Sequence, residues 1–340
     1  MATTTVIIPT YERADLLEVA LDSALAQTYR DFVVLIGDNS KTDACAALVA
    51  RYDDPRITYH RNRPGLGPQG NWLDLARRAS TPLLVSLHDD DEWHPDFLAA
   101  CVPPMLDDPD LGVTFCDYWA IDANGTRLLT FTEDESARTR RNVLPEGRLR
   151  LDLAQRLRLV AVWNAVQPAY AAVLRREHVV TTDYPDDIAP LYDIWLSYAL
   201  AARGVGFRYE RRRLTNYRIH GTSITTGGFA RSEDAVFERI LSAHRPAADH
   251  DPALAAVLDE IVEYWSQLRW ARATRLMADG ADGRAESQAE LRDAAQGLKG
   301  RRRAAAMMAG RVTPVWKGLQ VTRGLLHRAR NEPDVRYDKS

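Results

Sequence analysis

LLVSLHDDD, residues 83–91, is the stretch on which the reading of this chain turns. Leu83 to Leu87 is an uncharged apolar run with the length and composition of a strand buried on both faces. His88 and three carboxylates, Asp89, Asp90 and Asp91, follow it without a spacer. The same shape occurs twice upstream. TTVIIP at 4–9 gives way to Thr10-Tyr11-Glu12-Arg13, and FVVLI at 32–36 gives way to Gly37-Asp38-Asn39-Ser40. Between these runs the apolar period changes. Leu16, Ala20, Leu21, Ala24 and Leu25 recur at helical intervals within 15–27. Thr42 to Tyr52 and Asn71 to Ala79 read as further helices, and Ile57 to Tyr59 as a short strand. This alternation predicts an α/β fold with a mostly parallel central sheet flanked by crossover helices. Ligands of such sheets bind beyond the carboxyl ends of the strands, so the three polar strand ends are expected to converge.

Beyond Asp117 the pattern loosens. Asn124-Gly125 is a hairpin signal, and 132–158 is charged and irregular, like a surface excursion. Ala169 to Leu174 reads as a returning strand, Leu191 to Arg203 as a helix, and Gly206 to Tyr209 and Leu214 to Ile219 as two short extended pieces. From Ala230 onward the chain is Ala-, Leu- and Arg-rich, with helical periodicity over 252–277 and again over 284–298. The expected organisation is an α/β part over 1–228, in halves 1–117 and 118–228, and a helical C-terminal extension over 229–340.

Composition narrows the class. Hydrophobic residues make up 46% and charged residues 27%, which excludes a disordered or fibrous chain. A net charge of −3 gives no basis for a nucleic-acid partner. Cys45, Cys101 and Cys116 are widely spaced, which argues against a disulfide framework or a cysteine zinc site and suits a cytoplasmic protein. Residues 2–9 do not read as a signal peptide. The best apolar stretch, 159–174, is interrupted by Asn164, Gln167 and Pro168 and falls short of the about 20 residues of a spanning helix. Lys299 to Arg330 holds nine Lys/Arg and no acid. Two readings stay open for it: a peripheral patch on an anionic membrane, or a solvated helical face packing on the rest of the chain or on a twin subunit as a homo-oligomer.

Several residues carry candidate chemistry. Three adjacent carboxylates at a buried strand end repel one another, and a hard divalent cation, Mg²⁺ or Mn²⁺, relieves that repulsion. The alternative is an acidic turn capping the helix that starts near Pro95. Asp38 offers an acceptor for a nucleobase edge or a ribose, or forms an Asx turn before Thr42. RNRPGLGPQGN at 61–71 is glycine-rich, basic and just ahead of a helix, which suits phosphate. It is neither a Walker A sequence nor a dinucleotide fingerprint. His220 in Tyr217-Arg218-Ile219-His220 could complete a metal shell if the fold brings it to the carboxylates. GTSITTGGFA at 221–230 has the hinges and small residues of a closing loop.

In order, VIIPTYER, GDNS, NRPGLGPQGN and LHDDDEWHPDFL resemble the family 2 glycosyltransferases of the GT-A fold. The resemblance covers residues 3–225 and is strongest over 3–117; YRIHGTSIT resembles the segment that closes this family's site. It implies an inverting transferase that uses Mn²⁺ or Mg²⁺. Such an enzyme moves a sugar from a nucleotide-diphosphate donor, first a UDP-sugar, to a hydroxyl of a glycan, lipid-linked or natural-product acceptor. It also implies site roles. Pro9, Thr10, Tyr11 and Arg13 would line the nucleoside pocket, with Asp38 reading the base. Arg63, Gly67 and Asn71 would help hold the nucleotide. Asp90 would sit on the metal and Asp89 nearer the ribose, with Asp91 a second carboxylate and His220 approaching the metal or the diphosphate.

This chain departs from the family pattern at His88, where an Asp is usual, and at Gly37. The family's Glu-Asp pair, which carries the catalytic base, is absent from Pro190-Leu191-Tyr192-Asp193-Ile194-Trp195. Asp193 is the first choice for that base, with Asp187 and Asp186 behind it. Trp119 and Trp163 are expected on the acceptor wall, or in the core. Rival classes are a sugar nucleotidyltransferase, disfavoured by PTYER where a glycine-rich basic stretch would stand, and a glycoside hydrolase, which needs two facing carboxylates and no nucleotide. A third is a nucleotide-binding relative without transferase activity, which the missing Glu-Asp pair favours.

Overall fold

The computed structural model describes residues 2–63, 65–220 and 230–279, together with Leu291 and Gly297. The chain divides into two compact units, Met1–Ile261 and Val262–Ser340. The first begins β1 (Thr4–Thr10), α1 (Ala14–Leu25), β2 (Phe32–Asp38), α2 (Ala44–Val49), β3 (Ile57–Arg61), α3 (Gly67–Arg78) and β4 (Leu83–Ser86). It continues β5 (Glu92–Trp93), α4 (Phe97–Asp107), β6 (Leu111–Ile121), α5 (Leu129–Arg138), β7 (Gly147–Leu149) and α6 (Leu153–Leu157). Then come β8 (Ala172–Arg175), α7 (Arg176–Val180), α8 (Tyr192–Arg203), β9 (Gly206–Arg218) and α9 (Ala230–Ala248); α10 (Pro252–Asp279) starts in the first unit and its residues from Val262 belong to the second.

The described strands form one sheet in the order β3-β2-β1-β4-β8-β6-β9-β5, with β7 also on β9. β1 pairs in parallel with β2 and β4, β2 with β3, and β6 with β9. β8 runs antiparallel between β4 and β6, and short β5 and β7 run antiparallel to β9. The expected mostly parallel sheet flanked by helices is thus present. β1 is buried along nearly its whole length, as its β-branched run requires in a sheet covered on both faces. α1 buries Leu17, Ala20, Leu21 and Ala24, one stripe at helical spacing, against the core. α8 stops where Gly204 takes the left-handed conformation, φ 75°, that favours glycine.

The chain differs from its sequence reading at identifiable places. α3 begins at Gly67, so half of the glycine-rich loop is the first helical turn, with Pro68 at a position where its missing N–H costs nothing. The two extended pieces after Gly206 are one strand, β9. Its pairing steps from Cys116–Glu210 to Asp117–Arg213, a bulge that absorbs the charged Arg211-Arg212 in mid-strand. The turn at Asn124-Gly125 forms, with Gly125 at φ 83°, but its return is a single bridge between Ile121 and Arg127 before α5 starts. The excursion 132–158 holds α5, β7 and α6, the last fixed by a reciprocal Asp152–Gln155 capping box. The proposed closing loop, apart from Ala230, the basic segment 299–330, and the helix over 284–298, apart from Leu291 and Gly297, lie outside the described residues.

Gly37 has a packing reason. A Cβ there would fall inside the van der Waals shell of Asn71 Oδ1 and come 3.0 Å from Leu75. Asn71 is buried and donates Nδ2 to the Gly37 carbonyl at 2.7 Å, so α3 packs directly on the β2 backbone. Gly37→Ala is therefore expected to cost about 1–3 kcal/mol, as overpacking does. Thermal unfolding reads this as a lowered midpoint; an unchanged midpoint would contradict the packing account. In the second unit the described part of α10 carries Trp270, buried, and Arg269 packed 4.7 Å over the Trp265 ring. No described helix is long and apolar enough to cross a membrane.

Candidate active site

The ends of β1, β2 and β4 meet at one edge of the sheet, as parallel topology dictates. Pro9 to Arg13, Asn39 to Lys41 and His88 to Asp90 line the same cleft, of about 1310 Å³. Tyr118, Tyr170 and Tyr217 line it too, as do Tyr192 and Asp193 at the start of α8.

The carboxylate run at the end of β4 is tied to the end of β1. Thr10 Oγ1 donates to Asp89 Oδ2 at 2.7 Å, and the Tyr11 N–H donates to the same oxygen at 3.3 Å. Arg13 Nη1 bridges Asp89 Oδ1 at 3.2 Å and Asp90 Oδ2 at 2.8 Å. The return of β9 supplies the rest. His220 Nε2 stands 3.0 Å from Asp90 Oδ2, and the Arg218 N–H donates to Asp91 Oδ1 at 2.9 Å. Burial, followed by the Asp90 charge, raises the pKa of Asp89 and raises that of Asp91 well above the usual carboxylate range.

Asp91 Oδ2 is buried and has no hydrogen-bond partner. One ligand atom from each of His88, Asp90 and Asp91 lies within 4.8 Å of the others. A buried carboxylate with an orphaned oxygen, clustered with a second carboxylate and an imidazole, is a donor set that fits a divalent cation such as Mn²⁺ or Mg²⁺. Of the residues expected to hold a metal, Asp90 and Asp91 belong to this cluster. His220 touches it through Asp90, and His88 joins it.

Asp193 lies in the first turn of α8 and lines the cleft. Its Oδ1 accepts the Ile194 N–H at 2.8 Å. Burial raises its pKa above the ordinary carboxylate value, against the lowering pull of that N–H and of His88. The adjoining Tyr192 hydroxyl is 3.1 Å from His88 Nε2, which ties the start of α8 to the residue after β4.

Other expected residues fall differently. Thr10, Tyr11, Pro9, Arg13, Gly67, Asn71 and Asp89 all line the cleft. Asp38 does not, because both of its oxygens are used beneath the floor. Oδ1 accepts the Ser40 N–H at 2.7 Å, and Oδ2 accepts the Tyr59 hydroxyl at 2.6 Å. That contact, with burial as the larger cause, pushes the Tyr59 pKa up to about 12. Arg63 is exposed and outside the lining; Arg61 lines the cleft instead. Asp187 is exposed and paired with Arg239 at 2.9 Å, away from the cleft, and Asp186 is exposed beside it. Neither tryptophan lines the cleft. The Trp119 ring is held by the guanidinium groups of Arg127 at 4.4 Å and Arg213 at 4.5 Å.

The aromatic wall is not legible as a motif. Tyr170 and Tyr217 stack at 4.8 Å, and Tyr118 meets both edge-on. β6, the turn leading into β8, and β9 bring these three together from distant parts of the chain.

The family model described as Glycosyl transferase family 2 matches residues 5–179. Among curated proteins, a Campylobacter jejuni GalNAc(5)-diNAcBac-PP-undecaprenol beta-1,3-glucosyltransferase is 36% identical over 90 residues, 26% of this chain and 29% of that protein. The succinoglycan biosynthesis protein ExoO of Rhizobium meliloti is 31% identical over 144 residues, 42% of this chain and 40% of that protein. The chain thus spans well under two thirds of the length of these relatives. Two solved structures share the fold. S. aureus TarS 1-349 in complex with UDP-GlcNAc has a TM-score of 0.61 at 14% identity, covering 99% of this chain and 94% of that one. The Pyrobaculum calidifontis mannosyltransferase PcManGT, in complex with GDP-Man and Mn²⁺, has a TM-score of 0.53 at 19% identity, covering 96% and 80%.

Proposed function

Because this chain belongs to the family 2 glycosyltransferases, we propose that it transfers a sugar from a nucleotide-diphosphate donor to an acceptor hydroxyl with inversion at the anomeric carbon. The observation that carries this reading is the meeting of three strand ends in one cleft that Asp89, Asp90 and Asp193 all line. A cleft of about 1310 Å³ exceeds the roughly 300–1,000 Å³ of a single small-molecule pocket and so has room for two reactants.

The nucleoside end lies between Tyr11 and the Asn39–Lys41 loop, with Arg61 at its rim. Asp90 and Asp91, with an imidazole nitrogen of His88, would hold Mn²⁺ or Mg²⁺, and His220 steadies Asp90. When bound, such an ion neutralises charge on a departing diphosphate. Arg13 pins Asp89 and Asp90 in place. Asp193 accepts the proton of the acceptor hydroxyl as its oxygen bonds to the anomeric carbon, while the carbon–oxygen bond to the diphosphate breaks. One displacement of this kind inverts the configuration. Tyr118, Tyr170 and Tyr217 offer a wall on which a sugar face can rest.

The first test is release of nucleoside diphosphate from UDP-GlcNAc, other UDP-sugars and GDP-mannose, with Mn²⁺ and a panel of glycan acceptors. Acceptor-dependent release from one donor supports the reading. No turnover with any donor, despite tight nucleotide binding, would favour a binding protein without transferase activity.

The pKa of Asp193 adds a pH signature. The base works only when ionised, and burial raises its pKa. Activity is therefore expected to rise with pH through a midpoint above the ordinary carboxylate range, and to be lost below it. A pH profile of kcat/KM that stays flat down to ordinary carboxylate values would remove Asp193 from this role.

A further inference from the structure

Glu12 stands at the end of β1 with φ 55°, a left-handed backbone that residues other than glycine adopt mainly where the surroundings impose it. Four hydrogen bonds impose it here, and all of them cross to the loop after β2. The Glu12 N–H donates to Ser40 Oγ at 2.7 Å. Its Oε1 accepts the Lys41 N–H at 2.6 Å and the Thr42 N–H at 3.1 Å, and its Oε2 accepts Thr42 Oγ1 at 2.5 Å. The Thr42 hydroxyl and the Lys41 N–H hold the Glu12 pKa below its usual value, so the carboxylate is ionised at neutral pH and these bonds are charge-assisted.

The same loop is held from two other sides. The Asn39 N–H donates to the Thr10 carbonyl at 3.0 Å, and Asn39 Nδ2 donates to the Gly67 carbonyl at 3.0 Å. Asn62 Nδ2 donates to Asn39 Oδ1 at 3.0 Å. Those contacts fix Asn39. Glu12 fixes the part beyond it, Ser40 to Thr42, of which Ser40 and Lys41 line the same cleft as the half-exposed Tyr11.

We propose that Glu12 is a positioning residue for nucleotide binding. Its carboxylate latches the Ser40–Thr42 loop beside the cleft that Tyr11 also lines, so that a nucleobase enters a preformed slot, and it takes no part in the transfer step. This rests on the nucleotide-sugar reading above. Affinity falls in proportion to the fraction of time the slot is formed, so a loop latched about a tenth of the time binds about tenfold more weakly.

The test uses the full chain with Glu12→Ala and Glu12→Gln. The probe is whichever of UDP, dTDP and GDP the parent binds best, along with its free nucleoside. Calorimetry is expected to show both probes weakened by the same factor in Glu12→Ala, on the order of tenfold. Glu12→Gln, which keeps one acceptor oxygen, should fall between. Turnover at saturating donor should stay within about twofold of the parent, so that KM moves and kcat does not.

Unchanged affinity in Glu12→Ala, or a fall in kcat with KM kept, overturns the proposal. Hydrogen exchange at the Lys41 and Thr42 amides gives a ligand-free readout: faster exchange in Glu12→Ala supports the latch, and equal exchange overturns it. A parent that binds none of the three nucleotides instead overturns the nucleotide-sugar reading itself, an outcome distinct from a parent that binds and a variant that binds equally well.

Discussion

Asp193→Asn is expected to lower kcat by about 10²–10⁴-fold at saturating donor, the range that a positioned general base contributes. Donor Kd should change by less than about threefold, since transition-state and ground-state contacts separate in this way. The amide keeps the oxygen that accepts the Ile194 N–H, so the first turn of α8 is preserved. It loses only the capacity to take a proton. The acidic limb of the pH profile should vanish with it. Asp187→Asn is the control. Asp187 is exposed and paired only with a half-exposed Arg239, so its loss should leave kcat within about twofold, as exposed ion pairs contribute little. Equal losses from both variants, or none from Asp193→Asn, would contradict the assignment of the base.

Asp90→Asn should be the second large loss. Asp90 joins Arg13 at 2.8 Å and His220 at 3.0 Å and belongs to the cluster with His88 and Asp91. Charge stabilisation by a bound divalent ion is worth several kcal/mol, and about 3 kcal/mol corresponds to a factor on the order of 10². Mn²⁺-dependent nucleotide affinity is therefore expected to fall by about that factor, leaving the weaker metal-independent binding at the parent's level. Titration with Mn²⁺ and with EDTA checks both halves. Retained metal-dependent affinity would move the ion away from Asp90.

The three strand ends are legible in the amino-acid sequence because each is a local signal. A buried apolar run followed at once by polar residues has one meaning in a parallel sheet, and the convergence of Thr10, Asn39 and Asp89 follows from topology. Asp193 is singled out by the family resemblance, which sets a base just ahead of the helix over 191–203; its own neighbourhood reads equally as a helix cap, and the fold places it on the cleft lining. What stays hidden depends on partners far away in sequence. Nothing near Asp38 reveals that Tyr59 and the Ser40 amide consume both its oxygens, which takes it off the cleft wall. Nothing near Glu12 announces Lys41 and Thr42.

Aromatic residues are the least predictable. Trp119 carries the right chemistry for a sugar platform, yet neighbouring strand and turn residues, Arg213 and Arg127, hold its ring elsewhere. Tyr118, Tyr170 and Tyr217 form the wall instead, through pairings of β6, β8 and β9 that no local pattern encodes. The charged residues in mid-β9 likewise hide a single strand behind the look of two, since a bulge is visible only once the partner strand is known.

The most direct measurement is calorimetric titration of the parent chain with UDP, dTDP and GDP, each with Mn²⁺ and again with EDTA. One nucleotide should bind, more tightly with Mn²⁺, because the β4 carboxylates and the β1–β2 loops form one site. Absence of binding by all three under both conditions would contradict the central claim that the meeting strand ends are a nucleotide-diphosphate site.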